Sequence, residues 1–264
     1  MSTTYIFPQL SSLFVTSMSV ISFTILAVYG FLELREKHLH YSKFWNSGSK
    51  TFAVKEIKLS SRTGMLITYT PAFLAAVASF VIYPQEDIRM LLLSSALTIH
   101  FLKRILEVLF VHKYSGGMIL DSAVIISLSY GVCTASVTYA QSLTKGLPEP
   151  SIDLKYLGCL LFILGISGNF YHHCLLSRMR RLQGDKEYKI PKGGLFGIII
   201  CPHYLFEIIG FVGLALISQT LYGFSFTTGS ALYLIARSYV TRRWYVSKFE
   251  DFPKNVKALI PYVL

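Results

Sequence analysis

Long runs of apolar residues, separated by short segments that carry most of the charge, are the main pattern of this chain. Seven such runs lie at residues 10–32, 65–83, 90–111, 119–140, 154–176, 195–218 and 221–236. A helix rises about 1.5 Å per residue, so each run is long enough, or nearly so, to cross a hydrocarbon core of about 30 Å. A backbone in lipid must satisfy its own hydrogen bonds, so the runs should be helical. The pattern predicts an all-α, polytopic integral membrane protein with seven transmembrane helices.

Composition agrees with this prediction, since 53% of the 264 residues are hydrophobic and the mean hydropathy is +0.51. The net charge of +11 would also suit a nucleic-acid binder. However, most basic residues fall in alternate connecting segments, and the opposite side of the layout holds only Arg89, Lys145 and Lys155. The positive-inside rule explains this asymmetry without a nucleic-acid partner. It predicts a lumenal N-terminus and a cytosolic C-terminus, and we expect a single domain over residues 1–264.

The third run carries a polar face where a membrane helix should be apolar. His100, Lys103, Arg104 and Glu107 follow the three-and-four spacing of one helical face. Ionisable groups within a membrane are costly, at about 2.5–3.5 kcal/mol each at a helix centre, and usually face a bundle interior or a wet cavity. The face is either a self-neutralising stripe, in which Glu107 pairs with Lys103 or Arg104, or one wall of an anion-binding cavity. The sequence leaves both interpretations open.

The end of the fifth run places Asn169, His173 and Arg180 on one helical stripe, by the period of about 3.6 residues per turn. An amide, an imidazole and a guanidinium in a column suit a long anionic ligand, because arginine can bind phosphate through two hydrogen bonds. The alternative for Arg180 is the ordinary basicity of a membrane boundary. His172, His203 and the nearby cysteines have no recognised metal-ligand spacing, so we predict no metal site.

The sixth run contains the strongest site candidate. Pro191 and the pair Gly193-Gly194 mark a turn, and Pro202 is expected to interrupt the helix that follows. Such a break would place His203, Tyr204 and Glu207 beside freed carbonyl groups, which membranes tolerate where the backbone is buried in protein or lines a wet cavity. His203 and Glu207 could instead simply pair. No soluble nucleotide-binding motif is present, so any nucleotide must bind within the helical bundle.

Residues 169–264 carry ordered motifs that together resemble the steroid 5α-reductase family, which also includes trans-2-enoyl-CoA reductases and polyprenol reductases. The matching residues are Gly168-Asn169, Arg180, Tyr188-Lys189-Ile190-Pro191, Gly193-Gly194-Leu195-Phe196, Cys201-Pro202-His203-Tyr204 with Glu207, Arg237, Trp244-Tyr245, Lys248 through Lys254, and Lys257 through Pro261. The resemblance implies a seven-helix reductase of the endoplasmic reticulum membrane that binds NADPH inside the bundle. Such enzymes reduce a carbon–carbon double bond conjugated to a carbonyl.

The resemblance also assigns cofactor contacts, at Asn169, Arg180, Tyr188, His203, Glu207, Arg237 and Tyr245. Lys189 stands where relatives often have arginine, and His173 takes a position that is acidic in the animal steroid reductases. We expect both to contact NADPH, together with Arg104 from the polar face of the third run.

The subfamily is less clearly marked. Thr68 and Tyr69 replace the Gln-Glu pair of steroid reductases, so the expected catalytic glutamate is absent. The segment from His100 to His112 looks more like the enoyl-CoA branch, and Tyr204 stands where that branch has a tyrosine proposed as proton donor. We expect Tyr204 to supply the proton, with Tyr69 as the second candidate.

The predicted function is therefore the NADPH-dependent reduction of a 3-oxo-Δ4-steroid to its 5α-dihydro product, by a plant-like member of the family. Its expected partners are the lipid bilayer and a hydrophobic small molecule, and the oligomeric state stays open. A very-long-chain trans-2-enoyl-CoA reductase is the alternative within the family. A non-catalytic sterol-binding membrane protein is the alternative from another class.

Overall fold

The computed structural model describes residues 4–8, 12–37, 57–85, 87–114, 116–183 and 189–263, although not the side chains of 181–183. Seven α-helices lie in these residues, one on each predicted run. They are α1 (Leu13–Leu34), α2 (Ser61–Ile82), α3 (Ile88–Leu106), α4 (Leu120–Ser142), α5 (Lys155–Gln183), α6 (Pro202–Ser218) and α7 (Leu221–Lys248). The predicted helical class is confirmed.

Four of the helices in the described part of the chain have the length and apolar composition needed to cross a membrane: α1, α2, α4 and residues 155–180 of α5. The apolar helix α6 is shorter, at 17 residues. Within α3 the basic residues Lys103 and Arg104 occupy the last turn, and α7 contains three arginines, Arg237, Arg242 and Arg243. Seven helices are therefore present, and membrane crossing is supported for four of them.

Two short strands correct the expectation of a purely helical chain. β1 (Lys58–Ser60) pairs antiparallel with β2 (Gly117–Ile119), so that Leu59 faces Met118 across the ladder. The hydroxyl of Ser61 donates a 2.6 Å hydrogen bond to the carbonyl of Gly116. This bond joins the start of α2 to the segment between α3 and α4. Three residues are too few for a recognisable alternating pattern, so the hydrophobic pattern could not show these strands.

The start of α6 also differs from the prediction. Pro202 does not break a helix, because it is the first residue of α6. A proline fits there since the first helical residue has no N–H partner within the helix to lose. Upstream, residues Gly194–Gly197 form a 3₁₀ turn, and Ile199 forms an isolated parallel bridge with Lys257. The C-terminal segment is thereby joined to the residues that precede α6.

The bundle is built from three closely packed helix pairs, α5 with α6, α1 with α7, and α2 with α4. Glycines allow the closest approach, since a Cβ on Gly165 of α5 would lie 2.3 Å from the backbone nitrogen of Gly210 in α6. Small residues at such contacts are typical of membrane helices, where packing rather than burial from water drives association. The central core includes Tyr69, Leu93, Phe101, Phe211 and Tyr222.

Candidate functional site

A polar cavity of about 250 Å³ lies inside the bundle. Side chains from α2, α3, α4, α5, α6 and α7 line it, so it lies where most of the helices converge. Its charged and phenolic lining residues are Tyr69, Arg104, Lys113, Tyr114, Tyr130, Arg180, Tyr204, Glu207, Tyr233, Arg237 and Tyr245. The cavity can therefore offer many hydrogen-bond donors and several positive charges to one ligand.

Arg104 is the centre of a hydrogen-bonded network on one side of this cavity. Its Nη2 donates to the phenol oxygen of Tyr69 at 2.5 Å, and its Nη1 donates to Glu107 at 2.9 Å. His173 Nδ1 lies 3.0 Å from Glu107 Oε1 and 3.2 Å from Arg104 Nη1. Lys103 pairs with the same carboxylate at 2.7 Å. The polar face therefore neutralises itself, because Lys103 and Arg104 both pair with Glu107, and Arg104 also lines the cavity. Anion binding by this face stays a prediction.

The α5 stripe meets the start of α6 through Asn169. Its side-chain amide donates a 2.8 Å hydrogen bond to the backbone carbonyl of His203, and it accepts one from Lys103. Glu207 Oε2 lies 3.5 Å from the same amide nitrogen. Asn169 thus connects α5, α3 and α6, and it holds the His203 backbone at the wall of the cavity.

Arg180 and Arg237 reach the cavity from different helices. Arg180 donates a hydrogen bond to the backbone carbonyl of Lys113, which follows a π-helical turn at Glu107–Val111. Arg237 Nη1 lies 2.6 Å from Glu33 Oε1 of α1, and both side chains are almost fully buried. Tyr245 packs with Phe252, Val256 and Leu259, so the C-terminal segment helps to fix it.

The structure brings together most of the residues predicted for the site. Those that line the cavity are Tyr69, Arg104, His173, Arg180, His203, Tyr204, Glu207, Arg237 and Tyr245. Asn169 is buried next to them, whereas Lys189 is exposed and does not line the cavity. Tyr188 lies outside the described residues. The roles of all these residues in binding or catalysis remain predictions.

Sequence reasoning missed several residues at this site, among them Glu33, Tyr130 and Tyr233. Tyr130 and Tyr233 line the cavity, and Glu33 is bonded to Arg237 behind its wall. Glu33 could have been found, because it is a carboxylate directly after a long apolar run. The two tyrosines carry no such signal, since aromatic residues are common throughout the apolar runs of this chain.

A second, larger cavity adjoins the first. It has a volume of about 380 Å³ and a mostly apolar lining from α1, α4 and α7, with Phe211 from α6. Tyr130, Tyr233 and Leu234 line both cavities, so these three side chains form the boundary between them. A polar compartment and an apolar compartment therefore meet inside the bundle.

Among the residues that the structure describes, one group of side chains has ligand atoms close enough for a metal ion. Glu107, His112 and His173 each offer one such atom within 4.8 Å of the others. However, Lys103 and Arg104 are bonded to the same Glu107 carboxylate, and their positive charges oppose a divalent cation. Burial and the neighbouring His173 and Arg104 lower the pKa of His112 to about 2, so its imidazole is neutral. The charges favour a hydrogen-bonded network here.

Parts of this chain are similar to known proteins. Residues 123–264 match the family described as 3-oxo-5-alpha-steroid 4-dehydrogenase. A very-long-chain enoyl-CoA reductase of Dictyostelium discoideum is 35% identical over 169 residues, which is 63% of this chain and 56% of that protein. The steroid 5-alpha-reductase DET2 of Gossypium hirsutum is 39% identical over 107 residues, 40% of this chain and 41% of the relative.

A human protein, 3-oxo-5-alpha-steroid 4-dehydrogenase 2, is 38% identical over 112 residues, which is 42% of this chain and 44% of that protein. The chain thus spans about half the length of the curated relatives it matches. The family match covers residues 123–264, more than half of the chain, and includes α5, α6, α7 and the lining residues that they contribute. The chain belongs to the 3-oxo-5-alpha-steroid 4-dehydrogenase family.

Proposed function

We propose that this protein is an NADPH-dependent reductase of the endoplasmic reticulum membrane that reduces a 3-oxo-Δ4-steroid to its 5α-dihydro product. One observation carries the proposal: a cavity rich in cationic and phenolic donors adjoins an apolar cavity across three shared side chains. A reaction between a charged dinucleotide and a hydrophobic enone needs two such compartments in contact. Relatives that are named as steroid reductases support the substrate class.

The residues of the polar cavity fit a nicotinamide dinucleotide. Arg104, Arg180 and Arg237 can donate to phosphate oxygens, and tyrosine and histidine side chains supply neutral hydrogen bonds. Among the described residues, Nε of Arg104 is buried without a hydrogen-bond partner, which leaves a donor for a ligand atom. The volume of about 250 Å³ suits part of a dinucleotide rather than the whole molecule. NADPH would supply the hydride.

The apolar cavity fits the enone. Its volume of about 380 Å³ is within the range of about 300–1,000 Å³ that is usual for ligand pockets. Its lining includes Met18, Ile25 and Ile125, and it lies between helices that are apolar enough to contact lipid. A hydrophobic substrate could therefore partition into it from the bilayer.

Two phenols are our candidates to stabilise the negative charge that develops on the substrate carbonyl and to protonate the product. Tyr204 is our first candidate to donate a proton to the enolate, and it lies in the first turn of α6 beside His203, with ring centroids 4.3 Å apart. Tyr69 is the second candidate, and the Arg104 guanidinium that donates to its oxygen would stabilise negative charge there. Glu207 and the His203 backbone, both near Asn169, would orient the nicotinamide amide.

We also propose that all seven helices span the membrane, with the N-terminus in the lumen and the C-terminus in the cytosol. Four helices meet the length and hydropathy requirement alone. The others would span as part of the bundle, in which Lys103 of α3 and Arg237 of α7 are paired with carboxylates. This orientation puts the basic connections, and so the entrance for an anionic cofactor, on the cytosolic side.

A very-long-chain enoyl-CoA reductase is the second candidate. Two observations favour it: Tyr204 matches the tyrosine of that branch, and the Dictyostelium relative named for this activity aligns with 63% of the chain. Hydride addition to the β-carbon of an enoyl thioester would use the same two cavities. The acyl chain would lie in the apolar cavity, and the coenzyme A phosphates would need basic residues outside it.

The test is an assay of the full-length protein, purified in detergent and supplied with NADPH. A 3-oxo-Δ4-steroid should consume one NADPH per molecule and yield the 5α-dihydro product, identified by mass spectrometry. If only a long-chain trans-2-enoyl-CoA is turned over, the protein is an enoyl-CoA reductase, the second candidate, and not a steroid reductase. Binding of steroid without NADPH consumption on either substrate would support a non-catalytic sterol-binding protein.

A further inference from the structure

A buried ion pair joins α1 to α7 beside the polar cavity. Glu33 lies in the last turn of α1, and the side chains of Glu33 and Arg237 are 1% and 2% exposed, with Nη1 and Oε1 2.6 Å apart. The hydroxyl of Tyr233 lies 3.5 Å from the same carboxylate oxygen. Arg237 and Tyr233 both line the polar cavity. A full negative charge therefore lies directly behind a guanidinium that faces the cavity.

Packing of the two helices does not require this pair. A Cβ on Gly30 would lie 3.3 Å from the carbonyl oxygen of Leu232, and one on Gly229 would lie 3.0 Å from Leu26. Such close approach between small residues holds membrane helices together without charges. A further ion pair, at 3.1 Å, joins Glu36, two residues after the end of α1, to Arg243 of α7 at the surface. The buried position of Glu33 therefore needs another explanation.

Electrostatics provides one. Removing two charges from water is costly, and the cost is offset only when each charge keeps a partner. Without a ligand in the cavity, the carboxylate of Glu33 balances the charge of Arg237. An anionic group that enters the cavity meets an arginine whose charge is already balanced, and it is repelled by the nearby carboxylate. The incoming anion and Glu33 must compete for one guanidinium.

We propose that Glu33 is the resident counter-ion of an anion site at Arg237. It neutralises Arg237 while the cavity is empty, and a phosphate group of the dinucleotide competes with it when the cavity fills. Glu33 thereby weakens cofactor binding and stabilises the empty protein. This inference rests on the proposed function, because it takes the ligand to be a nicotinamide dinucleotide.

The test compares Glu33→Gln with the wild type, using NADP⁺ binding to the purified full-length protein in detergent. Glutamine keeps the shape and can still accept a hydrogen bond from Arg237, so the variant removes only the charge. The dissociation constant of NADP⁺ should fall by about tenfold, near the value of one charge-assisted hydrogen bond. The melting temperature of the ligand-free protein should also fall, because Arg237 loses its counter-ion.

Glu36→Gln is the matched control, since it removes the exposed carboxylate of the neighbouring pair with Arg243. It should leave both the dissociation constant and the melting temperature close to those of the wild type. A merely structural role for Glu33 would weaken NADP⁺ binding together with stability. An unchanged or higher dissociation constant in Glu33→Gln therefore overturns the proposal.

A milder variant covers the case in which Glu33→Gln does not fold. Glu33→Asp keeps the charge but shortens the side chain, so the ion pair with Arg237 weakens. NADP⁺ should therefore bind more tightly than in the wild type. Affinity equal to or below that of the wild type would again overturn the proposal. If the wild type itself binds neither NADP⁺ nor NAD⁺, the proposed function fails instead.

Discussion

At the scale of single residues, the contacts of the two candidate phenols differ. Tyr69 is buried, and its oxygen accepts a hydrogen bond from Arg104 at 2.5 Å. Tyr204 is half-buried and lies between the central core and the C-terminal cluster. Tyr69 lies beside a guanidinium and is therefore suited to stabilise negative charge. Tyr204 lies near the start of α6 and can contact a ligand from that side of the cavity. Mutagenesis can separate these roles.

Tyr204→Phe should lower turnover by about 10²–10³, the effect of losing one preorganised donor to an oxyanion. The substitution removes only a hydroxyl, so packing and NADPH affinity should be retained. Steady-state kinetics and cofactor binding, measured on the same preparation, check both points. Tyr69→Phe is the parallel variant. Full turnover in Tyr204→Phe with an inactive Tyr69→Phe would make Tyr69 the proton donor. Full turnover in both variants would show that neither phenol protonates the product.

Arg180→Ala should raise the dissociation constant of NADPH by about 10- to 100-fold, because a hydrogen bond to a charged group contributes about 1.5–3 kcal/mol. Arg180 lines the cavity and is tied to the Lys113 carbonyl, so its position is fixed. Arg178→Ala is the control, since Arg178 is an exposed arginine on the same helix. Equal affinity in the Arg180 variant and the control would exclude Arg180 from the cofactor site.

Much of the site could be predicted at this scale because its residues are chemically conspicuous. Arg104, Asn169 and Glu207 are polar groups inside apolar runs, and such groups are tolerated only where they face one another or a cavity. Glu33 is a carboxylate directly after an apolar run, but its pairing with Arg237, and the position of Tyr233 beside it, depend on which helices are neighbours. One-dimensional spacing identifies a helical face, but it does not say which other helix packs against that face.

At the scale of elements, the packing of α5 against α6 depends on closely spaced glycines. The first is Gly165, where a Cβ would be 2.3 Å from the Gly210 nitrogen, and the second is Gly213, where it would be 2.5 Å from the Phe162 nitrogen. The atoms in the way are backbone, which cannot rotate aside. This contact also sets the position of His203 relative to Asn169 and therefore one wall of the polar cavity.

Gly165→Ala should destabilise the protein by about 1–3 kcal/mol, as is usual when a well-packed core is overfilled. NADPH binding should weaken too, because α6 would have to move away from α5. Gly197→Ala is a suitable control, since a Cβ there meets nothing within 4 Å. Thermal unfolding and cofactor binding would both be measured. A Gly165 variant as stable as the Gly197 variant would show that the α5–α6 contact can relax.

The helices themselves could be predicted, since each of the seven apolar runs forms one helix. The errors have physical causes. β1 and β2 are three residues each, and they pair between segments that are far apart in the sequence, one before α2 and one between α3 and α4. Pro202 can either break a helix or begin one, and the sequence alone does not decide. Here the N–H groups of Ile200 and Cys201 donate backbone hydrogen bonds to the C-terminal segment, at the carbonyls of Lys257 and Ala258. These two bonds hold the backbone before Pro202 outside the helix, so that α6 begins at the proline.

At the scale of the whole molecule, a buried arginine joins segments that are distant in the sequence, at the end of the bundle opposite the basic connections. Arg89 is 0% exposed at the start of α3. It donates to the carbonyl of Ile217 at 2.7 Å and to Asp153 at 2.8 Å, and it also pairs with Glu149. The ring of Phe7 lies 5.2 Å from its guanidinium carbon.

Gln219 extends this contact through the turn between α6 and α7. Its side chain accepts hydrogen bonds from Arg89 at 3.0 Å and from the Leu154 backbone at 2.7 Å, and its amide donates to the carbonyl of Tyr5. Gln219 itself has a left-handed conformation, with φ of 47°. The two residues thus hold the N-terminal segment, the α4–α5 connection and the α6–α7 turn together.

Arg89→Met should destabilise the whole protein by about 3 kcal/mol, at the low end for a broken buried ion pair because Glu149 and Asp153 stay partly exposed to solvent. Methionine keeps most of the apolar stem, so the change tests the charge. Glu149→Gln, at a half-exposed carboxylate, should cost less than about 1 kcal/mol. Both would be compared by thermal unfolding in detergent at neutral pH.

The pH dependence provides an independent check of the same contact. Burial acts to raise the pKa of Asp153, but hydrogen bonds from Lys155 and the charge of Arg89 outweigh it, so the pKa is lowered in the folded protein. A lowered carboxyl pKa stabilises the fold above the unfolded value of about 3.9, and this stabilisation is lost as the pH falls through the folded value. Arg89→Met removes one cause of the shift, so its stability should fall less steeply below pH 4 than that of the wild type. If the two proteins lose stability in parallel, Arg89 does not act on Asp153, and the contact is held by packing alone.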